Sequence, residues 1–82
     1  MRIPRNISGA DLIKKLKSFG YEPTRQSGSH IRITTQKNGV HHITIPEHKP
    51  LKIGTLSAIL KDVAAHFNIP KDTLITQLFS KK

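Results

Sequence analysis

Two residues of this sequence combine the types and the spacing that phosphate chemistry needs, His30 and Arg32. They follow a small-residue break at Gly28-Ser29 and begin an alternating stretch in which isoleucines would occupy the opposite face. Imidazole takes and gives protons near neutral pH, and guanidinium stabilises charge that develops on a phosphate. On spacing alone, His30 is a candidate either for acid–base catalysis at a phosphate or for phosphate binding without catalysis.

The elements that must position these residues are three predicted strands, 21–27, 31–36 and 40–45. Pro23 has no N–H to donate to a sheet, so the first strand is expected at an edge. Asn38-Gly39 is typical of a tight hairpin turn, because both residues tolerate a positive φ. The three strands are predicted to form an antiparallel meander.

Strand alternation also predicts which side chains share a surface with the two chemical residues. His41 and His42 are adjacent in the third strand and must point to opposite faces. If His41 lies on the core face, the open face carries His30, Arg32, Thr34, His42 and Thr44. The candidate catalytic residue is His30, and the candidate RNA-binding residues are Arg25, Ser29, Arg32, His42, Lys49 and Lys52.

Amphipathic patterns predict a helix on each side of the strand region. The first runs over 9–19, with Ser8 as its N-cap and Gly20 as the residue that ends it. The second has Thr55 as its N-cap and ends at Asn68, and a short third helix follows. This α-β-β-β-α-α order predicts an α+β fold with a three-stranded antiparallel sheet and the helices on one face. It resembles a double-stranded-RNA-binding domain.

Length and composition favour one small domain. A chain of 82 residues has room for a single core, so the domain is expected to span 1–82. The absence of cysteine removes disulfides and thiolate chemistry and fits a reducing compartment. No apolar run is long enough for a membrane span or a signal peptide, so a cytoplasmic location is predicted.

Charge indicates the class of partner. Fourteen Lys and Arg against five Asp and Glu give a formal net charge of +9, and no acidic residue occurs from Pro23 to Pro46. A polyanion such as RNA is the expected partner, with the middle of the chain as the contact surface. The alternative is a uniformly basic exterior that serves solubility alone.

Other chemistries find no support in the residues. The sequence has no phosphate-binding glycine loop, no dinucleotide-binding fingerprint and no cysteine nucleophile. Five histidines suggest zinc, but His41 and His42 diverge and no HExxH pattern is present. We therefore expect no metal and no cofactor.

Four segments together carry a family resemblance. Ile7–Ile13 looks like an opening helix, and Arg25–His30 looks like a strand junction. Thr44–His48 looks like a Pro-x-His turn, and Gly54–Leu60 looks like a second helix. The four segments occur in the order that the family has. A lone Gly-Ser-His is a weak signal, whereas the ordered set is strong. The sequence resembles the HicA family of toxin endoribonucleases from type II toxin–antitoxin systems over nearly its whole length.

The resemblance implies an mRNA interferase with a double-stranded-RNA-binding-like fold, whose single essential histidine corresponds to His30. It also implies a HicB-type antitoxin that covers the active surface. Roles for Arg32, His42 and the lysines come from strand alternation and not from the resemblance. Tyr21 departs from the pattern, since the family often has phenylalanine at this position.

Two other classes of function stay open at this point. A non-catalytic RNA-binding module of the same topology would bind RNA with a steep salt dependence and never cut it. A protein-interaction domain would use its basic face to receive an acidic antitoxin and would bind RNA weakly even at low salt. Digestion of RNA by the purified protein distinguishes these classes.

Overall fold

A computed structural model describes residues 6–79 of the chain. The elements are α1 (Gly9–Leu16), a 3₁₀ turn (Lys17–Phe19), β1 (Glu22–Ser27), β2 (His30–Thr35), β3 (His41–Pro46), α2 (Ile53–Phe67) and α3 (Lys71–Phe79). This order confirms the predicted α+β class. Within the described residues, no helix has both the length and the apolar character needed to cross a membrane.

The first helix begins and ends where its sequence signals lie. Ser8 Oγ accepts a hydrogen bond from the Asp11 N–H (3.0 Å), and the Asp11 carboxylate accepts one from the Ser8 N–H (3.5 Å). This capping box satisfies two N–H groups that a helix start leaves without partners. Gly20, at φ 86°, ends the 3₁₀ turn in the left-handed conformation that glycine adopts readily.

The three strands form one antiparallel sheet in the order β1-β2-β3, which makes β2 the central strand. Pro23 lies on an edge strand, as predicted. Asn38 (φ 58°) and Gly39 (φ 95°) form the turn between β2 and β3, also as predicted. A bulge places Thr24 as an extra residue in β1. The bulge was not predicted from the sequence.

All three helices pack on one face of the sheet. Ile33, Ile43 and Ile45 point into the core from β2 and β3 and are almost completely buried. They meet helix residues that are buried to the same degree: Leu12, Leu16, Leu56, Leu60, Val63, Leu74 and Leu78. The opposite face carries no helix, so the arrangement is the predicted double-stranded-RNA-binding-like one.

The predicted cap of the second helix was wrong. α2 begins at Ile53, with Lys52 as an N-cap that makes no side-chain hydrogen bond, and Thr55 lies inside the first turn. The cause is tertiary, since the Leu51 N–H donates to the Ile7 carbonyl (2.8 Å) and the Leu51 side chain is buried. This anchor turns the chain into the helix two residues before the sequence signal.

Candidate functional site

The bare face of the sheet, called the open face below, is organised in rows of side chains that cross the strands. Side chains of directly paired residues in an antiparallel sheet share a face. Three rows result, from pairings of His30 with Ser27 and Pro46, of Arg32 with Arg25 and Thr44, and of Thr34 with Glu22 and His42. The predicted alternation is confirmed, because Ile33, Ile43 and Ile45 are buried on the other face.

His30 is the first residue of β2 and is exposed at one end of the open face. Its backbone is held on both sides, by pairing with β1 and β3 and by a neighbouring bond from the Glu47 N–H to the Ser29 carbonyl (2.6 Å). Its imidazole makes no hydrogen bond to any residue from 6 to 79. The paired backbone therefore holds His30 in place, and both ring nitrogens of its imidazole are open to solvent.

Arg32 and Arg25 lie directly opposite each other in the next row. Like charges in this arrangement repel, so an anion bound between the two guanidinium groups would be stabilised. Arg32 is half-buried, and its Nε is withdrawn from solvent without a hydrogen-bond partner among the described residues. Two residues of strand separate Arg32 from His30, about 7 Å. The two arginines are therefore placed to hold a phosphate beside the imidazole of His30.

His42 lies on the open face but far from His30. It pairs with Thr34, four residues along β2 from His30, which corresponds to about 13 Å. That separation is too large for two imidazoles to act on one phosphodiester group. Strand alternation correctly predicted that both histidines lie on this face. The structure does not bring them together.

Glu47 is the carboxylate closest in pairing to His30, since it follows Pro46. Its side chain accepts a long hydrogen bond from the Gln26 amide (3.4 Å). Gln26 lies opposite Ile31, whose side chain packs against the core on the helix-bearing face. The described contact of the Glu47 carboxylate is thus with Gln26, and no hydrogen bond joins it to His30 within residues 6–79.

The remaining predicted RNA ligands lie at the His30 end of the sheet. Ser29 belongs to the turn before β2, and Lys49 and Lys52 belong to the loop between β3 and α2, with all three exposed. This loop is fastened to the start of α1 by a hydrogen bond from the Gly9 N–H to the His48 carbonyl (3.0 Å). This bond fixes the path of the loop near His48, and Lys49 and Lys52 stay predicted RNA ligands.

A second cluster, on the helix-bearing side, was missed by the sequence analysis. The Tyr21 hydroxyl lies 2.6 Å from His41 Nδ1, and His41 Nε2 lies 3.3 Å from a carboxylate oxygen of Asp62. The His41 ring stacks on His66, with centroids 4.4 Å apart and planes at 9°. Burial raises the pKa of the Tyr21 hydroxyl, and the charge of Asp62 raises this pKa further.

This cluster ties the β2–β3 turn to the end of α2. The Nε2–H of His66 donates to the carbonyls of Lys37 (3.0 Å) and Gly39 (3.1 Å), and the Asn38 amide donates to the His66 carbonyl (2.7 Å). No local signal identifies these contacts, because they join residues about 20 to 29 positions apart.

Metal ligation has no candidate in the part of the chain that the structure describes. No three His, Cys, Asp or Glu side chains there converge closely enough to hold an ion.

Comparison with known proteins gives one match. A family model described as the HicA toxin of bacterial toxin–antitoxin systems matches residues 9–64, more than half of the chain. The matched region runs from α1 into α2 and includes the whole sheet. Neither the curated proteins nor the solved structures contain a significant match.

Proposed function

The chain belongs to the HicA family of toxins from bacterial toxin–antitoxin systems, and from this premise we propose that it is an endoribonuclease that cuts messenger RNA on its open face. The observation that carries the proposal is the position of His30, exposed on the central strand beside the guanidinium pair of Arg25 and Arg32. A proton-transfer group and two fixed cations on an otherwise bare surface suit a phosphodiester substrate.

RNA supplies its own nucleophile, which sets what the protein has to provide. The 2′-oxygen attacks phosphorus while its proton is removed, the bond from phosphorus to the 5′-oxygen breaks, and that oxygen takes up a proton. The products are a 2′,3′-cyclic phosphate and a 5′-hydroxyl. The reaction thus needs a base, an acid and stabilisation of negative charge, and the proposal includes no metal ion.

In this reaction His30 moves one of the two protons, as general base toward the 2′-hydroxyl or as general acid toward the 5′-oxygen. Arg32 and Arg25 hold the phosphate and stabilise the charge that develops on its oxygens. Ser29, Lys49 and Lys52 extend the contact along the RNA backbone. His42 contacts RNA away from the cut, because its row is about 13 Å from that of His30.

A HicB-type antitoxin is the proposed protein partner. The formal charge of +9 and the opposed arginines favour an acidic partner that lies over the open face and excludes RNA. Because His30 is exposed and its imidazole makes no hydrogen bond with other described residues, His30→Ala is expected to keep the fold that the antitoxin would bind. Arg25→Glu is expected to weaken that binding, because it reverses a charge on the covered surface.

The decisive experiment is digestion of a defined RNA in excess chelator by the wild type and by His30→Ala. We expect the variant to lose cleavage by about 10²- to 10⁴-fold, the usual contribution of a general acid or base. Its stability should stay within about 0.5 kcal/mol of the wild type, because an exposed side chain leaves no cavity. A variant that folds and cuts as fast as the wild type would rule out His30 as the catalytic residue.

Two further measurements complete this test. Arg32→Ala is expected to slow cleavage by about 10²- to 10³-fold, and Lys61→Ala, which removes an exposed cation on α2, serves as its matched control. Analysis of the product ends should find the 2′,3′-cyclic phosphate, whereas a 5′-phosphate would contradict attack by the 2′-hydroxyl. RNA that is bound but never cut would favour the non-catalytic binding module.

A further inference from the structure

A shallow groove of about 470 Å³ occupies the end of the open face that is farther from His30. Its lining comes from the start of β1, the end of β2 and the segments beside them: Gly20, Glu22, Thr24, Thr34, Gln36 and Lys37. The Thr34 row lies about 13 Å from the His30 row. The groove is therefore outside the proposed catalytic site and on the same surface.

The two threonines of the groove have no hydroxyl hydrogen left for a ligand. Thr24 donates to the Arg32 carbonyl (3.2 Å), so the Thr34 hydroxyl must donate to Thr24 Oγ1 (2.9 Å). The remaining contact, 2.8 Å between Thr34 Oγ1 and His42 Nδ1, is then made by an Nδ1–H that donates to the threonine. This directional chain holds the threonine methyl groups and the His42 ring in place.

The polar groups left for a ligand are the carboxylate of Glu22, the amide of Gln36 and the ammonium of Lys37. None of these three side chains makes a hydrogen bond or ion pair within residues 6–79. Glu22 is the one carboxylate in the three rows of the open face. A carboxylate repels a phosphate, whereas it accepts hydrogen bonds from the N–H groups of a base edge.

Gly20 keeps the groove open. A Cβ at this position would lie 2.7 Å from Thr35 Oγ1 and 3.0 Å from a side-chain carbon of Lys37, and the residue has a φ of 86°. The absence of a side chain leaves the aliphatic stem of Lys37 as a wall of the groove. A flat ring can lie against such a wall with its polar edge toward Glu22.

We propose that this groove binds one base of the RNA, with guanine as the preferred base, and so contributes to sequence selection. The Watson–Crick edge of guanine offers two adjacent N–H groups to the carboxylate of Glu22 and a carbonyl oxygen to the donors on Gln36 or Lys37. The inference rests on the proposed function, because it assumes that RNA lies along the open face. The base bound in this groove is close to the cleaved bond in the RNA but is not directly next to it.

The test uses a random-sequence RNA pool and the full-length wild type, Glu22→Gln and Asp72→Asn. Asp72→Asn removes the same charge from an exposed position on α3, away from the groove. The bases around each cut and the sequences of the retained RNA are both recorded. We expect the wild type to favour guanine about tenfold at one fixed offset from the cut, a preference that Glu22→Gln removes and Asp72→Asn keeps.

A second substrate series sharpens the assignment. Replacing that guanosine by inosine deletes one N–H donor, so it should slow the wild type several-fold and affect Glu22→Gln much less. A base preference that Glu22→Gln leaves unchanged, or no preference at all, overturns the inference. If the wild type retains RNA and does not cut it, the proposed endoribonuclease fails, and the retained sequences still decide whether the groove selects guanine.

Discussion

Two adjacent histidines of β3 have opposite environments. His41 is half-buried on the helix-bearing side, where it contacts Tyr21, just before β1, and Asp62 and His66 of α2. His42 is exposed on the open face and has one polar contact, with Thr34 on the neighbouring strand. The alternation of side chains along a strand is enough to separate a packed residue from an exposed one.

The difference has a physical basis in what surrounds each ring. The contacts of His41 join β3 to Tyr21 and to α2, so the loss of its side chain affects packing between separate elements. The contact of His42 stays within two paired strands, and water covers the rest of the ring. Stability should therefore depend on residues of the helix-bearing side, and activity should depend on residues of the open face.

The largest effect is expected from another adjacent pair of residues in β3, Thr44 and Ile45, which lie on opposite faces of the sheet. Ile45→Ala removes a completely buried side chain and should lower the free energy of unfolding by about 2–5 kcal/mol. Ile45→Val should lower it by about 0.5–1.5 kcal/mol and keeps the comparison measurable if the alanine variant does not fold. Thr44→Ala should change it by no more than about 0.5 kcal/mol. Denaturant unfolding measures all three values.

A smaller effect is expected from the two histidines themselves. His41→Ala leaves the buried Tyr21 hydroxyl without a partner and should lower the free energy of unfolding by about 1–3 kcal/mol. The contact with Asp62 contributes little of this, because Asp62 is exposed. His42→Ala should stay within about 0.5 kcal/mol. Equal losses of unfolding free energy in His41→Ala and His42→Ala would contradict the expectation that stability depends on the helix-bearing side.

The smallest expected effect is a pH dependence that comes from Tyr21. Its pKa is raised by burial in the folded state, whereas in the unfolded chain it is about 10. Above pH of about 10 the unfolded chain loses a proton that the folded protein keeps, so stability falls as pH rises. Below that pH the Tyr21 hydroxyl is protonated in both the folded and the unfolded state, so it causes no pH dependence of stability.

Tyr21→Phe tests this dependence. The variant should be less stable by about 1 kcal/mol at neutral pH, because it loses the hydrogen bond to His41, and it should lose less stability than the wild type above pH of about 10. Tyr21 is the only tyrosine and the chain has no tryptophan, so tyrosinate absorbance reports this group alone. Ionisation of Tyr21 in the folded protein near pH 10 would contradict the buried network.

The sequence by itself determined most of the fold. Local signals placed the helix start at Ser8, the turns at Gly20 and Asn38-Gly39, and the helix end at Asn68, because capping and positive φ depend on neighbouring residues. The alternation of isoleucines determined which face of the sheet is buried. The same alternation placed His30, Arg32 and His42 on the open face.

Tertiary structure decided everything that depends on distance between residues remote in sequence. It set the bulge at Thr24, moved the N-cap of α2 from Thr55 to Lys52 and built the cluster around His41. It also separated His42 from His30, because pairing register, which depends on the whole sheet, sets how far apart two residues on one face lie. Local pattern fixes a side chain's direction, and only register and packing fix its neighbours.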